Sequence, residues 1–238
     1  TTTPKPIPLL KNLIEREDVI VTRGSTFENE ANLAESALEM MKSRYEGTAL
    51  GRQELYAEII DDIEGALWSP RLIEEARLPV DTEKPLTSII VAIDPAVTAN
   101  DNSDETGIIV VGKDHNNEYY VLEDLSGKHS ADKWGKIAIN AYYSWEADRI
   151  VAEVNNGGDL VERLLRNIDI NVPYRSVRAS RGKMVRAEPV AALYEQKRVH
   201  HIGVFEDLET QMCTYTGQVN PSPDRLDALV WGLSELSK

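Results

Sequence analysis

Four acidic side chains carry the chemistry this sequence is equipped for. Asp94 closes the apolar run Ile89-Ile90-Val91-Ala92-Ile93, and Glu153 closes Ile150-Val151-Ala152. Asp224 and Asp227 stand three residues apart in Pro223-Asp224-Arg225-Leu226-Asp227-Ala228-Leu229. A carboxylate at the tip of a buried strand is costly to desolvate unless a cation meets it. Carboxylates crowded together repel one another and partly protonate unless they are neutralised. Oxygen-only donors suit Mg²⁺ or Mn²⁺, which keep positions open for water and phosphate. Two such ions about 3.5–4 Å apart can activate a water on one side of a phosphodiester and steady the leaving oxygen on the other. Each acid alone also has an ordinary reading: Asp94 as a turn cap, Asp224 as a helix cap, Glu153 as a surface acid. Their joint placement at the ends of elements favours the clamp.

The elements that must hold these acids follow from the hydrophobic pattern. The runs ending at Asp94 and at Gly112 are rich in β-branched residues, too short for a typical helix, and broken by Pro95 and Gly107. They read as strands at about 88–94 and 106–112, followed by a strand at 118–124, a helix at 131–146, a strand at 149–154 and a helix at 158–168. A shorter strand at 174–178, a helix at 183–197 and a closing helix at 224–237 complete the order. Asp114-His115-Asn116-Asn117 is turn chemistry, so the second and third strands form a hairpin. Three meandering strands followed by strand–helix alternation is the order of an α/β, RNase H-like mixed sheet flanked by helices. In such a sheet the first and fourth strands are parallel neighbours, which brings Asp94 and Glu153 to one edge. The spacing of Asp224 and Asp227 puts both on one helix face, and Pro223 suits a helix start.

Upstream, Val19-Ile20-Val21-Thr22 looks strand-like, apolar residues recur at helical spacing from Asn29 to Tyr45, and a second helix is expected at about 52–62. Ala66-Leu67-Trp68 begins an extended passage. Residues 77–87, with two prolines and mixed charge, read as a linker between a smaller, mainly helical segment at 1–76 and the sheet domain at 88–238. A chain of 238 residues is long enough for a substantial core. The single Cys213 rules out an internal disulfide and fits a reducing compartment. No apolar run reaches membrane-spanning length, so no membrane partner is expected. The start, without an initiator Met, reads as mid-domain sequence from a longer protein. A net charge of −14 argues against coating nucleic acid with the whole surface, but not against a local basic groove.

That groove has a candidate between Pro173 and His201. Here Arg175, Arg178, Arg181, Lys183, Arg186, Lys197 and Arg198 outnumber Glu188 and Glu195. Such residues give sequence-independent phosphate affinity that weakens with salt, although a solvated helix face would show the same composition. Lys183 and Arg186 open a helix and are best placed to reach a scissile phosphate. His200 and His201 read as strand-edge residues rather than metal ligands, Asp104 as a turn acid, and Trp134, Trp145 and Trp231 as core anchors. Asn155-Asn156-Gly157-Gly158 is either a phosphate-cradling turn or a plain strand-to-helix corner.

Ile93-Asp94-Pro95-Ala96, Ser103-Asp104-Glu105-Thr106-Gly107-Ile108, Ala152-Glu153-Val154-Asn155 and Ser222-Pro223-Asp224-Arg225-Leu226-Asp227-Ala228-Leu229 resemble the nuclease domain of the large terminase subunit of tailed bacteriophages and prophages. Thr1-Thr2-Thr3-Pro4 resembles the coupling motif late in the terminase ATPase domain. Gly24-Ser25-Thr26, Tyr45-Glu46-Gly47-Thr48 and Gln53-Glu54-Leu55-Tyr56 resemble the segment joining motor to nuclease. The resemblance implies that residues 1–76 are the end of the ATPase domain and its linker subdomain. It implies a DNA endonuclease with two Mg²⁺ or Mn²⁺ ions bound by Asp94, Glu153 and Asp227, with Asp224 a ligand or a neighbour of one. It further implies double-stranded concatemeric DNA as substrate, 5′-phosphate and 3′-hydroxyl ends, a portal protein and small terminase subunit as partners, and a ring oligomer on the procapsid in the host bacterial cytoplasm. No Gly-x-x-x-x-Gly-Lys-Ser/Thr phosphate loop is present, so ATP hydrolysis by this polypeptide is not expected. A Holliday-junction resolvase of similar fold, or a non-catalytic docking module of a packaging motor, are the competing readings.

Overall fold

The computed structural model describes residues 13–14, 16, 18–34, 38–39, 41, 55–57, 65–96, 105–154, 158–217 and 222–238. In chain order these form a 3₁₀ helix (Thr26–Asn32), α1 (Pro70–Glu75), β1 (Arg77–Leu78), β2 (Leu86–Asp94), β3 (Gly107–Asp114) and β4 (Tyr119–Asp124). Then come α2 (Ala131–Ser144), β5 (Arg149–Glu153), α3 (Gly158–Ile168), β6 (Tyr174–Val177), α4 (Lys183–Glu195), β7 (Val199–Ile202), α5 (Glu206–Thr214) and α6 (Asp224–Leu236).

The strands make one seven-stranded mixed sheet in the order β1-β7-β4-β3-β2-β5-β6. β2, β3 and β4 are an antiparallel meander, and β5 lies parallel to β2. The sheet is covered on both faces, which is why its central strands read as continuous apolar runs rather than alternating ones. Along β2, Ile90 joins a core formed with α1, α4, α5 and α6, whereas Val91 and Ile93 point into a second core under α2 and α3. The β3–β4 hairpin turns as its residue types dictate. Asp114 Oδ1 accepts from the backbone N–H groups of Asn116 and Glu118, and Asn117 takes the left-handed conformation (φ 60°) that Asn tolerates.

Several short elements differ from expectation. The passage beginning at Ala66 leads into α1, capped by Ser69 with Pro70 in the first turn. Trp68, Ile73 and Ala76 are buried in the first core. The stretch 77–87 holds β1, which pairs with β7, and the first two residues of β2. β7 is the strand in which His200 and His201 lie, α5 falls where no element is expected, and β1 is only two residues long. Elements this short carry too little periodicity to register. Residues 19–22 form no strand, and Ile20 is exposed. At the expected helix from Asn29, the chain instead makes the 3₁₀ helix, started by a Ser25–Glu28 capping box and ended by extended Leu33. Of the remainder of that expected helix, only 34, 38–39 and 41 are described, and 38–39 and 41 are α-helical as expected. Of the helix expected at 52–62 only 55–57 are described, and 55–56 form a turn.

β7 also explains the histidines. His201 is fully buried, with Nδ1 3.0 Å from Glu209 and Nε2 2.7 Å from the Tyr194 hydroxyl. Burial pulls its pKa down and pushes that of Tyr194 well up, so the neutral ring accepts from Tyr194 and donates to Glu209. Arg77 completes the network with two 2.9 Å bonds to Glu209. Burial opposes ionisation of Glu209, but His201 and Arg77 prevail and bring its pKa down to about 2. His200 contacts Glu118 at 3.0 Å and stacks on Tyr120. Both histidines are therefore occupied in structural contacts.

Candidate functional site

Register brings the acids together. Ile93 pairs with Ala152 across the parallel β2–β5 ladder, so Asp94 and Glu153 occupy the next step on neighbouring strands. On the other side Asp94 pairs with Gly107, the first residue of β3. Gly107 is where the first turn of α6 touches the sheet: a Cβ there would lie 2.0 Å from the Asp224 carbonyl oxygen. Only a residue without a side chain admits the helix so close. Asp224 and Asp227 are thereby delivered beside Asp94.

The electrostatics follow from this convergence. Burial raises the pKa of Asp94 well above the ordinary carboxylate value, and the neighbouring charges of Asp227, Glu153 and Asp224 add to it. Among the described residues no hydrogen bond or ion pair reaches the Asp94 carboxylate, and the residue stays partly exposed. Asp227 is also raised, by burial first, against the opposing pull of Lys183 and Arg186. Lys183 Nζ lies 2.5 Å from Asp227 and 3.1 Å from the Ser222 hydroxyl. Burial would lower the Lys183 pKa, yet its bond to Asp227 leaves it raised and the ammonium charged.

Arg186, one turn along α4 from Lys183, bridges two of the acids. Its guanidinium is 3.3 Å from Glu153 and 3.4 Å from Asp227, and lies 4.5 Å from the centre of the Trp231 ring. The Trp231 indole N–H donates to the same Glu153 oxygen. Trp231 packs against the first core, as a core anchor should, and also forms a wall of the site. Its signal in the sequence is its spacing from Asp227, four residues along α6 and so on the same face. Trp134 is buried in the second core, as expected, and Trp145 packs against that core while donating to Glu123.

The motif before β3 has structural work to do. Glu105 and Asp124 hold Arg225 at 2.9 and 2.8 Å, pinning the first turn of α6, and Thr106 accepts from the backbone N–H of Ala96. Arg225 and Gly107 are thus further site-building residues that acid spacing alone did not reveal. Asp104 and the Asn155-Asn156-Gly157 part of the strand-to-helix corner lie outside the described residues.

Of the basic stretch, Lys183 and Arg186 sit among the acids. Arg178 and Arg181 lie on the loop before α4, exposed, and no ion pair reaches them among the described residues. Arg175 is taken by Glu235, Lys197 by Glu75, and Arg198 by the Asn117 carbonyl.

Among the described residues no group of three or more His, Cys, Asp or Glu side chains is placed so that it could hold a metal ion. The four acids converge, but Lys183 and Arg186 stand between them. The donor set is all carboxylate oxygen, which fits a hard divalent cation, and Asp94 offers a carboxylate not yet engaged by a cation in contact.

Residues 91–236 match the family model of the terminase RNase H-like domain. No curated protein matches the sequence. Among solved structures the fold is similar to the large terminase from a thermophilic bacteriophage, with a TM-score of 0.56 and 12% identity over 96% of this chain and 59% of that one. It is also similar to the nuclease domain of the large terminase subunit gp2 of bacterial virus Sf6, with a TM-score of 0.53, 13% identity and 71% and 98% of the two chains covered. The large terminase nuclease from thermophilic phage G20c gives a TM-score of 0.51, 13% identity and 72% and 98% coverage. A mutant of the Sf6 domain was solved with manganese. These structural likenesses speak for the fold, and the chain spans 59% of the first of those terminases. The family match takes in Asp94, Glu153, Asp224 and Asp227 together, and on it the chain belongs to the terminase RNase H-like domain family, the nuclease region of large terminases.

Proposed function

We propose that this chain is a divalent-metal-dependent endonuclease domain that cuts double-stranded DNA for packaging. The observation that carries the reading is the convergence of Asp94, Glu153, Asp224 and Asp227 at one end of β2, β5 and α6. Asp94, Glu153 and Asp227 would hold the metal, with Asp224 a ligand or a close neighbour. Two Mg²⁺ or Mn²⁺ ions, when bound, would supply water activation and stabilisation of the leaving oxygen. The manganese in the Sf6 domain supports a divalent ion of this kind. Arg186 and Lys183 hold Glu153 and Asp227 in place and bring positive charge to where a phosphate would enter. The Trp231 ring stacks against the Arg186 guanidinium and helps to orient it.

In the whole protein, residues 1–76 would be the end of the motor domain and its linker subdomain, with 88–238 the nuclease. Its partners would be a portal protein and a small terminase subunit, in a ring on the procapsid, in the cytoplasm of the bacterial host.

Incubation with supercoiled plasmid tests the reading. Nicked and linear products are expected with Mn²⁺ or Mg²⁺ and none with chelator. Cleavage that survives chelator would overturn the metal dependence. Absence of both cleavage and calorimetric Mn²⁺ binding would leave a docking module.

The DNA path has its own test. Arg178 and Arg181 are exposed beside the Lys183 end of α4, so Arg178→Ala with Arg181→Ala should weaken duplex binding about equally for all sequences. The slope of log affinity against log salt should fall by about 1 for each phosphate no longer neutralised. An unchanged slope would place the DNA elsewhere.

A further inference from the structure

The first turn of α6 carries Asp224 and Asp227, yet it has no cap of its own. Pro223 precedes it and gives no side-chain acceptor for the free N–H groups of that turn. The acceptor comes from another helix. Gln211 in α5 places its side-chain oxygen 3.0 Å from the Arg225 nitrogen and 3.2 Å from the Leu226 nitrogen.

We propose that Gln211 is a positioning residue of the acidic site, acting through this cap on the turn that presents Asp224 and Asp227. The inference rests on the reading of those two acids as site residues. Both capped N–H groups lie between them in sequence, so fixing the pair sets the height and rotation of the turn. Gln211 is itself well anchored. Leu208 and Met212 of α5 are fully buried, and Glu209 ties the helix to β1 through Arg77 and to β7 through His201. The residue type also fits. An amide oxygen caps the helix without adding a negative charge beside acids that already repel one another.

Gln211→Leu keeps the length and removes the acceptor, whereas Gln211→Glu keeps an acceptor. In the Leu variant hydrogen exchange at the Arg225 and Leu226 amides should accelerate. Calorimetric Mn²⁺ affinity should fall about tenfold, the scale found when a partner that orients a metal ligand is lost. Plasmid nicking should lose kcat with KM for DNA unchanged, and the Glu variant should recover amide protection and most of the metal affinity. Unchanged protection or unchanged Mn²⁺ affinity in the Leu variant would overturn the role, as would a Glu variant no better than Leu. A wild-type chain that binds no Mn²⁺ would overturn the site reading and this role with it. That failure is distinguishable, because the Leu variant would then differ from wild type in amide protection alone.

Discussion

Asp94→Asn is expected to cut plasmid nicking severely while raising the melting temperature of the metal-free protein at neutral pH. The two effects have one cause. The Asp94 carboxylate is desolvated, surrounded by Asp227, Glu153 and Asp224, and met by no contacting cation among the described residues. Its folded pKa lies above the ordinary value of 3.8, so the charged form is disfavoured in the native state. As pH rises past the unfolded value the unfolded chain ionises first, and native stability falls until the folded group has ionised as well. Asn, of nearly the same shape but uncharged, removes that penalty.

The stability gain should therefore shrink as pH is lowered towards 3.8, where the wild-type group is protonated in the folded state. Saturating Mn²⁺ should reverse the order. Wild type would gain by mass action, about 2.7 kcal/mol at a hundred times Kd, and the variant would not. Nicking should drop by about a hundredfold or more, since even indirect partners of a metal ligand cost 10–100-fold. An Asn variant that melts at or below wild type without metal, or that keeps more than about a hundredth of the wild-type nicking rate, would break the link between crowding and function.

What the sequence disclosed and what it withheld divide along physical lines. β2, β3 and β5 are buried on both faces, and burial on both faces writes itself as unbroken apolar runs such as Ile89 to Ile93. The acids at the ends of those runs were legible for the same reason, since a charge terminating such a run has few structural excuses. β1 and α5 were not legible, and β7 only as the strand edge of His200 and His201. They have two, nine and four residues, and their burial depends on partners far along the chain, as in the pairing of Arg77 with His201.

The counter-charges were only half legible. Charge density flagged Lys183 and Arg186, but composition cannot say which member of a basic stretch turns inward. Lys183 and Arg186 turn inward because they lie on the face of α4 that meets α6, whereas Arg178 and Arg181 stay exposed on the preceding loop and Arg175, in β6, goes to Glu235. Trp231 was only half legible: the indole on an apolar helix does pack against the core, as expected. Its N–H, however, needs an acceptor, and Glu153 is the one it finds.

The second large effect is expected at Gly107, a residue with no functional group at all. A methyl there would sit 2.0 Å from the Asp224 carbonyl oxygen, 2.6 Å from its carbon and 3.0 Å from the Ala228 Cβ. The first two are backbone atoms at the start of α6, so no rotamer change relieves the clash, and the helix end must lift from the sheet. Overpacking costs typically about 1–3 kcal/mol, and Gly107→Ala should reach or exceed the upper end because the obstacle is rigid.

Gly232, on the same helix, makes the informative comparison. Its added methyl would meet a Val111 methyl at 2.7 Å and the Ala92 Cβ at 3.1 Å, which are side-chain atoms. Ala also gains about 1 kcal/mol over Gly inside a helix, offsetting part of that strain. Gly24, where only Glu28 comes within 3.8 Å, should tolerate Ala with little change. Denaturant midpoints should therefore fall in the order Gly24→Ala, Gly232→Ala, Gly107→Ala, the last being lowest. Calorimetry adds the decisive contrast. Because Gly107 pairs directly with Asp94, lifting α6 there carries Asp224 and Asp227 away from it, so only the Gly107 variant should lose Mn²⁺ affinity out of proportion to its stability. Equal metal affinity in the Gly107 and Gly232 variants would mean that the close approach of helix and sheet serves packing and does not set the spacing of the acids.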